Sequence, residues 1–286
     1  PKSALSVGEA RARILAGVLP LPSEPVALLA ARARILAEPI SARLTQPPFD
    51  ASAMDGYAVR AADVARLPAT LRVVGEAAAG HGFGGHVGPG EAARIFTGAP
   101  LPAGSNAIVI QENTRREGDH VVVHDGTPDP EHVRGKGHDF RLGDALLAPG
   151  IRLDARLLTL AAAMGHGVLQ VRRRPVVAVL ATGDELVEPG VEPGPDQIVC
   201  SNPYGLAALI EGAGGEARLL GIAGDTTEAL EERIRAARGA DILVTTGGAS
   251  VGDHDLVAPV LQRCGMTLDF WKIAMRPGKP LIFGRM

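Results

Sequence analysis

The sequence predicts a multidomain protein: a turn-rich β body followed by an α/β domain built on a parallel sheet. Two changes of texture predict it. From about Ala51 to Leu147, short β-prone runs alternate with Gly and Pro turns. From Arg174 onward, apolar runs of strand length alternate with segments of helical period. A length of 286 residues leaves room for both bodies, since domains commonly hold roughly 100–200 residues.

The elements follow in chain order. Ser6 stands three residues before Glu9 and ahead of Ile14 and Leu15, a capping box opening a short helix. A second amphipathic run, Val26 to Leu36, reads as another helix, ended by TQPPFD. The β body is expected from LRVVGEA, AARIFTG, AIVIQENT and HVVVHD. Its Gly-rich stretch GHGFGGHVGPGE lacks the GxxxxGK[ST] spacing of a phosphate loop. His81 and His86 within it read as solvated loop side chains rather than a metal pair.

In the α/β part, PVVAVLAT is a continuous apolar run, as suits a strand buried on both faces. Ser201-Asn202-Pro203 opens a helix carrying Leu206, Leu209 and Ile210 on one face, closed at Gly212 or Gly214. EARLLGIA is the second strand. Asp225 with Glu228 is expected to cap a helix carrying Leu230 and Ile234, closed near Gly239. DILVTT is the third strand, a helix runs from about Asp255 to Cys264, and TLDFWKIAM is the fourth strand.

Composition excludes several classes. A net charge of -3 gives no sequence-wide case for nucleic acid or an anionic membrane as partner. Cys200 and Cys264 form no CxxC pair, which argues against a disulfide scaffold or a zinc ribbon. No run approaches the roughly 20 apolar residues of a membrane span. The charged, helical N-terminus does not read as a signal peptide, and the protein reads as cytoplasmic.

In an open parallel sheet, ligands sit outside the carboxyl ends of the strands. The residues there are Thr182-Gly183-Asp184-Glu185, Gly224-Asp225, the run from Thr246 through Gly247, Gly248 and Ser250 to Asp255, and Arg276-Pro277-Gly278-Lys279. Four strand ends would thus gather acids, glycines, hydroxyls and cations on one rim. Acids suit a hard divalent cation such as Mg²⁺. Arg276 and Lys279 suit an oxyanion, and glycines let backbone N–H groups approach phosphate oxygens. Taken alone each feature has a plainer reading; Asp225, for one, is a good helix cap. Together they point to an enzyme handling a phosphate-bearing ligand.

The motifs also carry a resemblance. PPFDASAMDGYAVR, RIFTGAPLPAGSNAIVIQE, RGKGHDFRLGD, ATGDELVEPG, TTGGASVGDHD and WKIAMRPGKPLIFG run in order over nearly the whole chain. In these it resembles the molybdopterin molybdenumtransferases, the bacterial MoeA type and the gephyrin E domain. The resemblance implies an elongated N-terminal domain from 1–50 and 140–173, an inserted β-rich domain over 51–139, and a molybdopterin-binding-type α/β domain over 174–286. It implies a homodimer whose active site is shared between subunits. It implies a reaction in which adenylylated molybdopterin and molybdate yield the molybdenum cofactor and AMP, supported by Mg²⁺ or another divalent cation. A molybdopterin adenylyltransferase is the implied protein partner.

Carried over by position, Asp55, Thr97, Asp139, Glu185 and Lys272 match catalytic residues. Gly247, Gly248, Ser250, Arg276 and Lys279 match substrate-binding ones, and Asp225 and Asp255 match metal ligands. There are departures. Ala51 replaces the usual Asn, Arg276 stands where many members have Lys, and GDHD replaces the commoner GExD, adding His254. The chain also stops at Met286, before a Gly-Leu-Pro-Gly-Asn-Pro-like stretch and the small C-terminal β domain of the family, and so reads as truncated. Rival expectations are a related molybdopterin adenylyltransferase or nucleotide pyrophosphatase, and a non-catalytic scaffold. The first two lack the SAMDGYAVR and TGAPLPAG segments.

Overall fold

The computed structural model describes residues 4–247 and 256–286. Contacts divide the chain into two units, Pro1–Pro25 with Gln170–Met286, and Val26–Leu169.

The first helix, α1 (Val7–Leu15), starts where the capping box predicts. The Ser6 hydroxyl accepts the Glu9 N–H, and the Glu9 carboxylate accepts the Ser6 N–H at 2.8 Å.

Within Val26–Leu169 the main element is a six-stranded sheet. Its strands are β1 (Gly56–Val59), β2 (Ala69–Ala77), β3 (Glu91–Ile95), β4 (Ala107–Ile110), β5 (Thr114–Glu117) and β6 (His120–Val123). They lie in the order β4-β1-β3-β2-β6-β5, with only β2 and β3 parallel. One face buries Tyr57, Val59, Leu71, Val109, Val121 and Val123. The other buries Ala58, Ala77, Ile95, Ala99 and Ile108. Alternating residues of β1 thus serve two cores, which explains why GYAV is buried at every position. The same unit holds two small antiparallel ladders, Ala51–Ser52 with Val133–Arg134 and Ile40–Ser41 with Ala145–Leu147. A helix, α2 (Ala155–Ala163), is capped by Asp154, which accepts the Leu157 N–H at 2.9 Å.

The helix expected over Val26–Leu36 does not form. Only a 3-10 turn exists, Leu28–Ala31. Ala33 has φ 61°, outside the right-handed helical region. Beyond it the backbone pairs across the chain: Ala33 N–H donates to Leu153 O, Leu153 N–H to Arg34 O, and Leu36 N–H to Ile151 O. These cross-chain bonds replace the helical ones, while Ala31 and Leu36 are still buried.

In the other unit, β7 (Val176–Thr182), β8 (Glu216–Ala223) and β9 (Ile242–Thr246) form a parallel sheet in the order β8-β7-β9. The central β7 is buried from Val177 on, as its apolar run predicts. The helices are α3 (Asn202–Ala213), α4 (Thr227–Ala236) and α5 (Val257–Arg263). Leu230 and Ile234 of α4 and Val257, Val260 and Leu261 of α5 pack over Ala178, Leu180 and Leu220. Gly214 ends α3 with φ 97°. Leu209 does not join the expected apolar face of α3. It is 71% exposed, because Pro203, Leu206 and Ile210 form the inward stripe and Leu209 lies off it.

Two expectations are corrected here. Thr226, not Asp225, caps α4: its hydroxyl accepts the Ala229 N–H. TLDFWK forms β10 (Thr267–Lys272) but is not a fourth parallel strand. It pairs antiparallel with β11 (Pro280–Arg285) in a separate two-stranded sheet. The loop 273–279 turns the chain straight back, closed by Ile273 N–H donating to Lys279 O at 3.0 Å. Helix α1 lies on this hairpin through Ala10, with Phe270 and Ile273 buried beneath it.

The starts of β7 and β9 are clamped by Asp241. Its carboxylate accepts both Arg173 guanidinium nitrogens, at 2.7 and 2.9 Å, and the Val176 N–H at 2.7 Å. The hydrogen bond from Arg173, above all, holds the Asp241 carboxyl below its usual range. A depressed carboxyl stabilises above its unfolded value, about 3.9, and that stability is lost as pH falls through the lower folded value. Asp241→Asn is therefore expected to lower the melting temperature at neutral pH. The gap to the parent should close in acid, as pH falls below the unfolded carboxyl value and through the lower folded one. Melting curves from pH 7 downward check this; a gap independent of pH counts against the clamp.

Candidate functional site

In the Val26–Leu169 unit, the chain leaves Ala51–Ser52 and enters β1 through Met54 and Asp55. Ser52 holds this turn: its N–H donates to Ala99 O and its carbonyl accepts the Gly98 N–H. Its hydroxyl donates to Met54 O at 2.5 Å. The Asp55 carboxylate thereby meets Thr97, just beyond β3. Asp55 Oδ1 accepts both the Thr97 N–H and the Thr97 hydroxyl, each at 2.8 Å. These bonds, backbone first, hold the Asp55 carboxyl below its usual range.

Asp139 lies in the loop after the Val133–Arg134 strand. Its Oδ1 accepts Arg134 Nη2 at 2.6 Å. Asp139 also borders a hollow of about 700 Å³ with Gln46, His138, Arg156 and Thr159. Because Arg134 pairs with Ala51 across the small ladder, Asp139 is anchored to the same strand that leads to Asp55. Sequence reading missed Arg134, although RGKGHDF holds both it and Asp139. A loop contact five residues apart carries no periodic signal.

In the parallel sheet, the carboxyl ends of β7 and β8 meet as expected. Asp184 Oδ1 accepts the Asp225 N–H at 3.0 Å, and Gly183 N–H donates to Ala223 O. Asp184, Glu185 and Asp225 are exposed. Since Thr226 caps α4, the Asp225 carboxylate is free of that duty. It makes no side-chain hydrogen bond among the described residues. Gly247 ends β9 with φ 94°, and a Cβ there would lie 2.3 Å from the Thr182 carbonyl oxygen. Only glycine fits this approach. Thr182 itself is buried, and its hydroxyl has no hydrogen-bond partner among the described residues. Gly248, Ser250 and Asp255 lie outside the described residues. No cluster of three metal-binding side chains occurs among the described residues.

Because β10 stands outside the parallel sheet, Arg276 and Lys279 belong to a hairpin loop, not to the rim of three strand ends. The loop, with Ala4, Ile273 and Met275, lines a hollow of about 390 Å³. Gly278 has φ 106°, and a Cβ there would strike the Met275 side chain at 2.4 Å. Arg276 and Lys279 are exposed, and neither has an ion-pair partner among the described residues. Lys272 ends β10 with its Nζ 5.0 Å from the centroid of the Trp271 ring. The structure thus joins Asp55 to Thr97, Asp184 to Asp225, and Arg276 to Lys279 around one loop. Among the described residues no hydrogen bond or ion pair links the last two groups.

Comparisons with known proteins match the chain in two stretches. Residues 5–165 match the family described as "MoeA N-terminal region (domain I and II)". Residues 178–286 match a "Probable molybdopterin binding domain". The chain is 45% identical over 265 residues to a molybdopterin molybdenumtransferase of Nostoc sp., covering 91% of this chain and 61% of that protein. It is 37% identical to the Haemophilus influenzae protein of the same name, covering 99% of this chain and 70% of the relative. A solved molybdopterin biosynthesis MoeA protein from Pyrococcus horikoshii superposes with a TM-score of 0.83 at 34% identity, covering 99% of this chain and 72% of that one.

Proposed function

Since the chain belongs to the molybdopterin molybdenumtransferase family, we propose that it inserts molybdenum from molybdate into adenylylated molybdopterin and releases AMP. The observation that carries this reading is the loop bearing Arg276 and Lys279. It offers two exposed cations with no ion-pair partner among the described residues, around one hollow. Molybdate is a dianion, and fixed positive groups are what such a substrate needs.

The remaining residues divide by charge. Asp225, with Asp255, holds a divalent cation such as Mg²⁺. The exposed carboxylate of Asp225, released from capping, supplies the hard oxygen donor this ion takes. When bound, the cation neutralises charge on the phosphate oxygens. Glu185 and Lys272 act beside the acids and the anion loop respectively, and Gly247, Gly248 and Ser250 offer backbone and hydroxyl groups to the substrate. Asp55, Thr97 and Asp139 face the substrate from the partner subunit's side of a shared cleft in a homodimer. The division into 1–50 with 140–173, 51–139 and 174–286 belongs to the same reading. So do a cytoplasmic location and a working contact with a molybdopterin adenylyltransferase. No helix among the described residues is long and apolar enough to cross a membrane.

The test supplies purified protein with adenylylated molybdopterin and Mg²⁺, with and without molybdate, and measures AMP. AMP release that rises with molybdate is expected. Adenylylation of molybdopterin from ATP points to an adenylyltransferase. Hydrolysis indifferent to molybdate points to a pyrophosphatase, and no turnover to a scaffold.

A further inference from the structure

Arg94 stands on β3 opposite Tyr57 of β1. It is half-buried, and both terminal nitrogens of its guanidinium are bonded. Nη1 donates to Gly56 O at 2.9 Å, and Nη2 donates to Gln111 Oε1 at 2.8 Å. Its Cζ lies 4.5 Å from the Phe96 ring centroid and 5.3 Å from that of Tyr57. Gln111 in turn donates its N–H to Asp55 O at 3.0 Å. The residue after Asp55 and the residue bonded to its carbonyl are therefore both tied to one side chain. Phe96, which stacks on that side chain, directly precedes Thr97.

We infer that Arg94 is the positioning residue of the Asp55–Thr97 pair, bracing the corner where β1 begins and β3 ends. The inference rests on the reading of Asp55 and Thr97 as active-site residues, but the bracing itself can be measured without turnover. Two features distinguish a brace from ordinary packing. The fork reaches two segments that converge on Asp55, and a planar group lies over two rings; a lysine ammonium is neither forked nor planar. Both forked bonds also go to neutral oxygens, and among the described residues no ion pair cancels the positive charge. It adds to the bonds that keep Asp55 ionised.

The test compares R94M and R94K with the parent, using hydrogen exchange of individual amides and AMP release. The Thr97 amide, which donates to Asp55, should exchange at least about tenfold faster in R94M. The amides of Val121 and Val123, in the buried part of the same sheet, should change by less than about threefold. R94K keeps the charge without the fork, and Thr97 should remain fast. Unchanged exchange at Thr97, equal acceleration throughout the sheet, or parent-like exchange in R94K would each overturn the brace. For turnover, R94M should cost about tenfold in the Asp55 protein and almost nothing in a D55N background. Equal losses in both backgrounds would mean that Arg94 does not act through Asp55. Absence of molybdate-dependent AMP release in the parent protein would instead reject the functional reading, and the exchange result would still decide the brace.

Discussion

Gly56→Ala is expected to destabilise the Val26–Leu169 unit by about 3 kcal/mol or more, the upper part of the range for overpacking. A Cβ at position 56 would lie 2.0 Å from the Val109 carbonyl oxygen, 2.9 Å from its carbon and 3.0 Å from Ile110 Cα. All three are backbone atoms of β4, so no side chain can rotate away. Relief requires β1 to part from β4, and β1 is bonded on both edges, to β4 and β3. Each ladder bond lost adds about 1 kcal/mol. The damage should also reach function, because Gly56 O accepts from Arg94 and Asp55 is the adjacent residue. Denaturant unfolding followed by a probe in the six-stranded sheet measures the loss. A shift under about 1 kcal/mol would mean that β1 and β4 do not approach this closely.

Lys279→Ala is expected to raise the molybdate concentration for half-maximal AMP release by roughly tenfold to a hundredfold. That corresponds to losing one charge-assisted hydrogen bond, about 1.5–3 kcal/mol. The fold should hold, because the loop closes through the Lys279 carbonyl and not its side chain. Saturating molybdate should restore much of the rate, since the loss lies in binding. Lys279→Arg keeps the charge on a different geometry and should fall between the two. A rate that drops equally at all molybdate concentrations would move Lys279 from anion binding to the chemical step.

Features written locally in the sequence were legible. The α1 capping box, the buried β7 run and the glycine that ends α3 each depend on a few neighbouring residues. Features decided by distant partners were not. Val26–Leu36 has helical patterning, but its N–H groups find Leu153 and Ile151, far along the chain. Asp225 and Thr226 are both good caps in sequence, and only the path of the chain from β8 selects Thr226. TLDFWK reads as a strand whatever its partner; the return of the loop 273–279 makes that partner β11.

The site divides in the same way. Strand ends pointed to Asp184, Asp225 and Gly247 because a parallel sheet gathers them there. Asp55 and Thr97 are 42 residues apart, and no spacing rule joins them; only family resemblance singled them out. Arg94 and Arg134 were missed because each works through another residue, by contacts that leave no pattern in the sequence.

Under the proposed function, AMP release and molybdenum insertion are one event on this protein. A single-turnover reaction with enzyme in excess over adenylylated molybdopterin tests it, counting AMP freed and molybdenum bound to the pterin product. Equal amounts are expected, appearing together and only when molybdate is present. AMP freed without molybdenum in the product would contradict it.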